Sequence, residues 1–324
     1  RLRKTARRAH PRRPPSRRKK RNYRIQASGV GRQGKALNPC ALNPDSLNMT
    51  FSCGRFSYSL SRPLIIGIVN VTPDSFSDGG RFHSPQQAIE QGLRLVEEGA
   101  DLLDIGGEST RPGAALVSEQ EELNRVLPVL AGLANAGVAL SVDTQKTAVM
   151  RAALAAGADM VNDVNALQQA GALAALSGSK AAVCLMHKQG DPQTMQQLPL
   201  YHDVVAEVHD FLKGRIAAAL AVGIAHERIV VDPGFGFGKN LEHNVALLRQ
   251  LRDFQDLGVP LLAGLSRKSM LGKIADLEVR DRVHASVAAA VLAALRGAKI
   301  IRVHDVKATR DALRIVNAVE GWHE

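Results

Sequence analysis

Nine polar side chains stand where short apolar runs stop, and together they describe two kinds of chemistry. Asn70, Asp104, Asp143, Asn162, His187, Asp232 and Ser266 mark the ends of seven runs, and Arg302 with His304 marks the eighth. Asp143, Asn162 and Asp232 offer carboxylates and a carboxamide, which suit a flat heterocycle carrying several N–H donors and ring acceptors. Asn70, Arg302 and His304, with Arg111 nearby, are the donors an anionic phosphate group needs. Taken singly, each residue has a plainer reading. Asp or Asn after a strand commonly caps a helix or makes a turn, and Asp143 before Thr144 fits a cap. Repetition at every run is what points to a site, provided the runs meet at one face.

The elements that would bring them together recur as one unit. Residues 64–69 are apolar, rich in β-branched side chains and broken by a single glycine, as in a strand buried on both faces of a parallel sheet. A polar loop follows, with turn signals at 72–74 and 78–80 and Phe76 between them. Ser84 as N-cap, Pro85 at the first helical position and Gln87 three residues on predict a helix. Ile89, Leu93 and Val96 are its buried stripe, and Gly99 is its stop. Residues 102–105 are the next strand and 106–113 the second long loop. Ser118 with Glu121 opens another helix, with Leu123, Val126, Leu127 and Leu130 on one face and Pro128 set to kink it. The helix–Gly–strand join returns at Gly137, Gly157, Gly223, Gly258 and Gly297. Further strands are expected at 138–142, 159–161, 181–186, 229–231, 260–263 and 299–303. Eight strands alternating with helices over about 276 residues are what a closed (β/α)₈ TIM barrel requires, with catalysis at the rim where the strands end. A six-stranded open sheet is the competing architecture. Residues 51–60 alternate aromatic and small polar side chains and fit a hairpin closing the far end.

Composition narrows the function classes. The net charge of +11 is concentrated in residues 1–48, which hold 15 Lys and Arg against the single acid Asp45. The rest of the chain carries 27 basic and 30 acidic side chains, so the folded part is mildly acidic and the basic balance belongs to the leader alone. Residues 1–48 are rich in Arg, Pro and Ser and are expected to be a disordered basic leader outside the native enzyme, upstream of a start at Met49. A transit peptide and a nucleic-acid-binding arm are its other readings. Residues 49–324 are then a single catalytic domain. Cys40, Cys53 and Cys184 form no CxxC pair and no disulfide framework, which suits a reducing, cytoplasmic setting. No run is long and apolar enough for a transmembrane helix, so no membrane partner is expected.

Two glycine-containing segments resemble anion sites. Residues 264–269 place Ser266 and Lys268 at a helix start, whose N-terminus attracts anions. Residues 234–239, Gly-Phe-Gly-Phe-Gly-Lys, lack the spacing of a phosphate loop, and their glycines read as flexibility around two aromatics. His83, His202, His209, His226, His243 and His284 are read as surface or packing residues.

Six segments carry a family resemblance. They are Asn-Val-Thr-Pro-Asp-Ser-Phe-Ser-Asp-Gly-Gly at 70–80, Gly-Gly-Glu-Ser-Thr-Arg-Pro-Gly at 106–113 and Ser-Val-Asp-Thr at 141–144. Asp-Pro-Gly-Phe-Gly-Phe-Gly-Lys at 232–239, Ser-Arg-Lys-Ser at 266–269 and Arg-Val-His-Asp at 302–305 complete the set. In this order they resemble the dihydropteroate synthases, pterin-binding TIM barrels and sulfonamide targets, from about Met49 to the C-terminus. The resemblance implies condensation of 6-hydroxymethyl-7,8-dihydropterin diphosphate with p-aminobenzoate, giving 7,8-dihydropteroate and pyrophosphate with Mg²⁺ as cofactor, in a homodimer. It implies Asp143, Asn162, Met186, Asp232 and Lys268 around the pterin, and Asn70, Arg302 and His304 on the diphosphate. It further implies Mg²⁺ on Asn70 and Asp78, and Phe76, Thr110, Arg111, Pro112, Phe237 and Ser269 around p-aminobenzoate. Asp143, Lys268, Arg302 and His304 are the expected catalytic residues. Gln145, Thr147 and Asn165 depart from the family's usual residues outside these motifs. A pterin-binding methyltransferase barrel is the alternative within the fold; it shares the pterin contacts but needs no cationic diphosphate end.

Overall fold

The alternating residues after Met49 form a hairpin, β1 (Thr50–Cys53) paired antiparallel with β2 (Phe56–Ser59). The eight apolar runs are strands. They are β3 (Leu64–Asn70), β4 (Leu102–Gly106), β5 (Ala139–Asp143), β6 (Met160–Asp163), β7 (Ala182–Met186), β8 (Ile229–Asp232), β9 (Leu262–Ala263) and β10 (Ile300–Val303). This computed structural model describes residues 49–72, 85–109, 116–190 and 199–322, all within one compact unit, Asn43–Glu324. The leader, Ser84 with its cap, and the two long-loop segments that carry Phe76, Asp78, Thr110, Arg111 and Pro112 lie outside the described residues.

Neighbouring strands are parallel throughout, in the order β8-β7-β6-β5-β4-β3-β10-β9. A bridge between Val231 and Leu261 closes the ring, and the Val231 N–H donates to Pro260 O at 3.0 Å. The sheet is therefore a barrel, and the six-stranded open alternative is excluded. β9 is shorter than expected because Pro260 has no N–H to give a neighbour.

The connecting helices are α1 (Pro85–Glu97), α2 (Glu119–Leu133), α3 (Thr147–Ala155), α4 (Ala172–Ser177), α5 (Val204–Ala221), α6 (Leu241–Arg249), α7 (Ser269–Ala275), α8 (Val283–Leu295) and α9 (Val306–Glu320). The six expected glycine joins all have positive φ, from 74° at Gly258 to 100° at Gly99. That backbone ends each helix and turns the chain into the next strand.

Two helix faces differ from their expected stripes. In α1 the barrel-facing residues are Ala88, Gly92 and Leu95, while Leu93 is exposed. Gly92 lies so close to Leu133 that a Cβ there would approach it to 2.8 Å, so the small residues set the helix spacing rather than the large ones. In α2 Val126 and Leu130 are buried as expected, but Glu122, Val129 and Leu133 join them in place of Leu123 and Leu127. The Ser118 hydroxyl accepts the Glu121 N–H, half of the expected capping box, and α2 continues past Pro128.

Inside the barrel, side chains alternate as the pleat dictates. At the hairpin end the interior is apolar: Leu64, Ile66, Leu102, Met160, Val230 and Ile300 pack with Phe51, Cys53 and Leu60. Two to four residues further along the same strands the inward positions turn polar. The hairpin is thus the barrel's floor. The Tyr58 hydroxyl ties it down, donating to Asp101 O at 3.0 Å and accepting the Ala139 N–H at 3.3 Å. Tyr58→Phe leaves both backbone groups without that partner and is expected to cost about 1–3 kcal/mol. Equilibrium urea unfolding measures this, and turnover should be unchanged because the hydroxyl is at the end remote from the polar rim.

Candidate active site

At the polar end the barrel opens into a cavity of about 430 Å³. Register places Gly106, Asp143 and Asn162 side by side on β4, β5 and β6, with Asn70 paired to Gly106 on β3. Met186 and Asp232 pair in the same way at the ends of β7 and β8. Asn70, Asp143, Asn162, Met186, Asp232, Phe237, Lys268, Ser269, Arg302 and His304 all line the one cavity. Of the nine strand-end polar residues, Asp104 and His187 do not line the cavity; the other seven do.

An ion network fills its centre. Arg302 on β10 donates through Nε to Asp104 Oδ2 at 2.6 Å and through Nη2 to Asp143 Oδ2 at 2.7 Å. Asn162 Nδ2 donates to the same Asp104 oxygen at 2.8 Å. Asp104 is not at the rim, as its position in the sequence suggests. It is the middle residue of β4, 1% exposed, and serves as the hub beneath Arg302 and Asn162. Burial raises the Asp143 carboxyl well above the usual carboxylate range, with Arg302 opposing. Burial works against the Arg302 charge, but Asp104 and Asp143 overcome it and hold the guanidinium protonated. Asp143 Oδ1 is buried with no hydrogen-bond partner among the described residues. It is an acceptor waiting for an N–H.

Asp232 stands across the cavity, raised by burial while the Gly234 N–H donates to its Oδ1 at 2.7 Å. Lys268 lies at the N-cap of α7 with its Nζ 4.1 Å from the centre of the Phe237 ring, a cation–π contact. Ser266 accepts the His304 backbone N–H at 3.2 Å, and its Oγ is 3.0 Å from His304 Nδ1, which orients the imidazole. Arg267, in a left-handed conformation (φ 57°), makes two hydrogen bonds to Asp305 and so joins the Lys268 loop to the His304 loop.

The segment 234–239 is the main surprise. Its glycines are not there for flexibility. Gly234, Gly236 and Gly238 hold φ values of 71°, 83° and 62°, and the Gly236 N–H donates to Asn244 Oδ1 at 2.7 Å. Lys239 is buried against this turn, and burial pushes its pKa down to about 7. Burial also pushes His187, at the end of β7, down to about 3. Of the histidines read as packing, His243 completes a capping box with Asn240 at α6 and His209 meets Asp256 on the surface. A further buried group, Asp163, accepts the Asn165 and Leu167 N–H groups and shapes the loop after β6. The sequence signal for it was an Asx turn, Asp-Val-Asn, directly after a strand.

A family model described as "Pterin binding enzyme" matches residues 66–304. The dihydropteroate synthase of Neisseria meningitidis serogroup B is 52% identical over 276 residues, covering 83% of this chain and 97% of the relative. The chain belongs to the dihydropteroate synthase family. Two solved dihydropteroate synthases extend the likeness to the fold. The Xanthomonas albilineans enzyme with 4-aminobenzoic acid superposes with a TM-score of 0.80 at 54% identity, covering 84% of this chain and 98% of that one. The Burkholderia cenocepacia enzyme with 7,8-dihydropteroate gives 0.78 at 50%, covering 85% and 98%. Membership accounts for a cavity lined by Asp143, Asn162 and Asp232 together with Lys268, Arg302 and His304. The dihydropteroate synthase motifs meet at its rim wherever their residues are described.

Proposed function

We propose that the cavity performs the dihydropteroate synthase reaction with the residues that line it. The substrates are 6-hydroxymethyl-7,8-dihydropterin diphosphate and p-aminobenzoate, and the products are 7,8-dihydropteroate and pyrophosphate. The observation that carries this is the orphaned, buried Asp143 Oδ1 facing a cavity whose other members are Asn162, Asp232 and Lys268. Those groups complement the N–H and ring-nitrogen edge of a pterin. Met186 supplies an apolar surface for its plane.

The diphosphate end is assigned to Asn70, Arg302 and His304. Arg302 has five N–H donors, and two are committed to Asp104 and Asp143, which leaves three for an anion. The exocyclic C–O bond breaks with its electron pair leaving on pyrophosphate, and the cationic groups hold the charge that develops. Asp143 then lies near an electron-poor methylene and stabilises it. The amine of p-aminobenzoate forms the new C–N bond and loses a proton to solvent; an aniline nitrogen is neutral at pH 7 and needs no strong base. Phe237 and Ser269 form the described part of the p-aminobenzoate pocket, and Phe76, Thr110, Arg111 and Pro112 are assigned to it by family motif.

Mg²⁺ fits the residues present. Among the described residues no three carboxylates, imidazoles or thiolates converge into a metal cage. Asn70 offers a hard oxygen at the rim, next to Gly106, where Mg²⁺ is held by few protein atoms and completed by phosphate and water. When bound there with Asp78, the ion would neutralise the leaving diphosphate. Chelation with EDTA is expected to stop pyrophosphate release, and added Mg²⁺ to restore it. The function itself is tested by incubating the chain with both substrates. Equal amounts of pyrophosphate and dihydropteroate are expected, with neither formed when p-aminobenzoate is omitted.

Among the described residues no helix is long and apolar enough to cross a membrane. Cys53 and Cys184 are free and buried; a cytoplasmic setting is assigned from the sequence reading of the cysteines. A homodimer is assigned on family membership alone.

A further inference from the structure

Lys239 is 2% exposed, and among the described residues no carboxylate lies within ion-pairing distance of it. A buried ammonium without an acid partner is costly unless its N–H groups are satisfied. Here they are. Its Nζ lies 2.9 Å from Gly234 O, 3.0 Å from Phe237 O, 2.9 Å from His187 Nδ1 and 3.4 Å from His187 O. The three N–H donors of an ammonium meet the three nearer acceptors, and the charge of Asp232 favours that form against burial. His187 is kept neutral by burial and by Lys239 itself, so Nδ1 presents a lone pair.

The acceptors point inward because the turn is wound around the lysine. A Cβ on Gly234 would lie 1.8 Å from His187 O, and one on Gly238 2.2 Å from Gln189 O. Carbonyls arranged in this way replace the water shell of a cation. What the turn carries is the wall of the cavity. Phe237 presents its ring to Lys268, the Gly234 N–H holds Asp232, and Gly236 lies against the Lys268 stem, where a Cβ would be 3.3 Å from Cδ.

We propose that Lys239 is a positioning residue for the p-aminobenzoate side of the reaction: as an internal cation held by Gly234 O, Phe237 O and His187 Nδ1, it sets Phe237 over Lys268. This rests on the assignment of Phe237 to the p-aminobenzoate pocket. It acts through the turn and does not touch either substrate.

Lys239→Met keeps most of the volume and removes the charge. Lys239→Ala opens a space for n-propylammonium, which has the missing carbons and the nitrogen. Steady-state kinetics on the full chain, with each substrate varied in turn and the fold checked by thermal melting, read the outcome. The KM for p-aminobenzoate is expected to rise at least about tenfold in both variants, and by clearly more than the KM for the pterin substrate, whose Asp232 and Lys268 have supports besides the turn. n-Propylammonium, but not n-propanol, is expected to restore p-aminobenzoate affinity to Lys239→Ala. A p-aminobenzoate KM unchanged in Lys239→Met would overturn the proposal. So would equal rises in both KM values with no recovery by n-propylammonium, since that is the mark of general loosening. A wild type indifferent to p-aminobenzoate would instead overturn the underlying functional reading, and the proposal with it.

Discussion

Arg302→Met is expected to lower turnover by about 10²–10³ and to destabilise the fold by about 3–5 kcal/mol at neutral pH. The two losses have one origin. Arg302 is the only cation bonded to Asp104 and Asp143 among the described residues, and Asp104 is 1% exposed. Removing the guanidinium leaves two buried carboxylates facing each other across an apolar side chain. Asp143 is already raised by burial with Arg302 opposing, so losing Arg302 raises it further. The folded variant then binds more protons than the unfolded chain, and its stability rises as the pH is lowered through that raised value. Urea midpoints between pH 8 and pH 5 measure it. Adding Asp104→Asn to Arg302→Met should recover part of the lost stability, because one buried charge disappears. A variant that melts like wild type at pH 8 would show that the network is not what holds these carboxylates.

The barrel was legible because each strand is written twice, once as an apolar run and once as a glycine that ends the preceding helix. The hairpin floor was legible for a similar reason, since its aromatics alternate with small polar residues. Helix faces were less so. Large side chains such as Leu93 and Leu123 suggested the buried stripe, but Gly92 and Gly132 bring α1 and α2 so close that small residues take the interior. A hydrophobic pattern registers size and polarity and is silent on how near two helices lie.

Within the site, residue types at the strand ends carried the signal, and pairing did not. Asp104 was visible as one more acid near a strand end. Nothing in the sequence said that it lies a layer deeper and ties Arg302 to Asn162. The glycines at 234, 236 and 238 read as flexible for a related reason. A glycine-rich segment ending in lysine suggests exposure and motion, whereas three positive-φ glycines can equally close a turn on a buried ammonium. The difference lies in His187, about fifty residues away, whose Nδ1 supplies the third acceptor. Convergence of distant residues of this kind follows from the fold and leaves no local trace.

Asp143→Asn is the more direct test of the chemistry. The amide keeps the shape of the carboxylate, and its oxygen still accepts from Arg302 Nη2, so the fold should survive. What disappears is a negative charge next to the atom that becomes electron-poor as pyrophosphate departs. A charge-stabilising group of this kind is expected to be worth about 10²–10³ in turnover, with a smaller effect on the KM for the pterin substrate. The pH profile separates charge from shape. Burial holds the Asp143 carboxyl above the ordinary carboxylate range, so acidification neutralises it earlier than it would an exposed acid. Wild-type kcat should therefore fall with decreasing pH along a limb of unit slope, and that limb should be missing in Asp143→Asn. If the asparagine variant turned over at the wild-type rate, or kept the same acid limb, the charge of Asp143 would have no part in catalysis. The carboxylate would then serve only to orient Arg302 and the pterin.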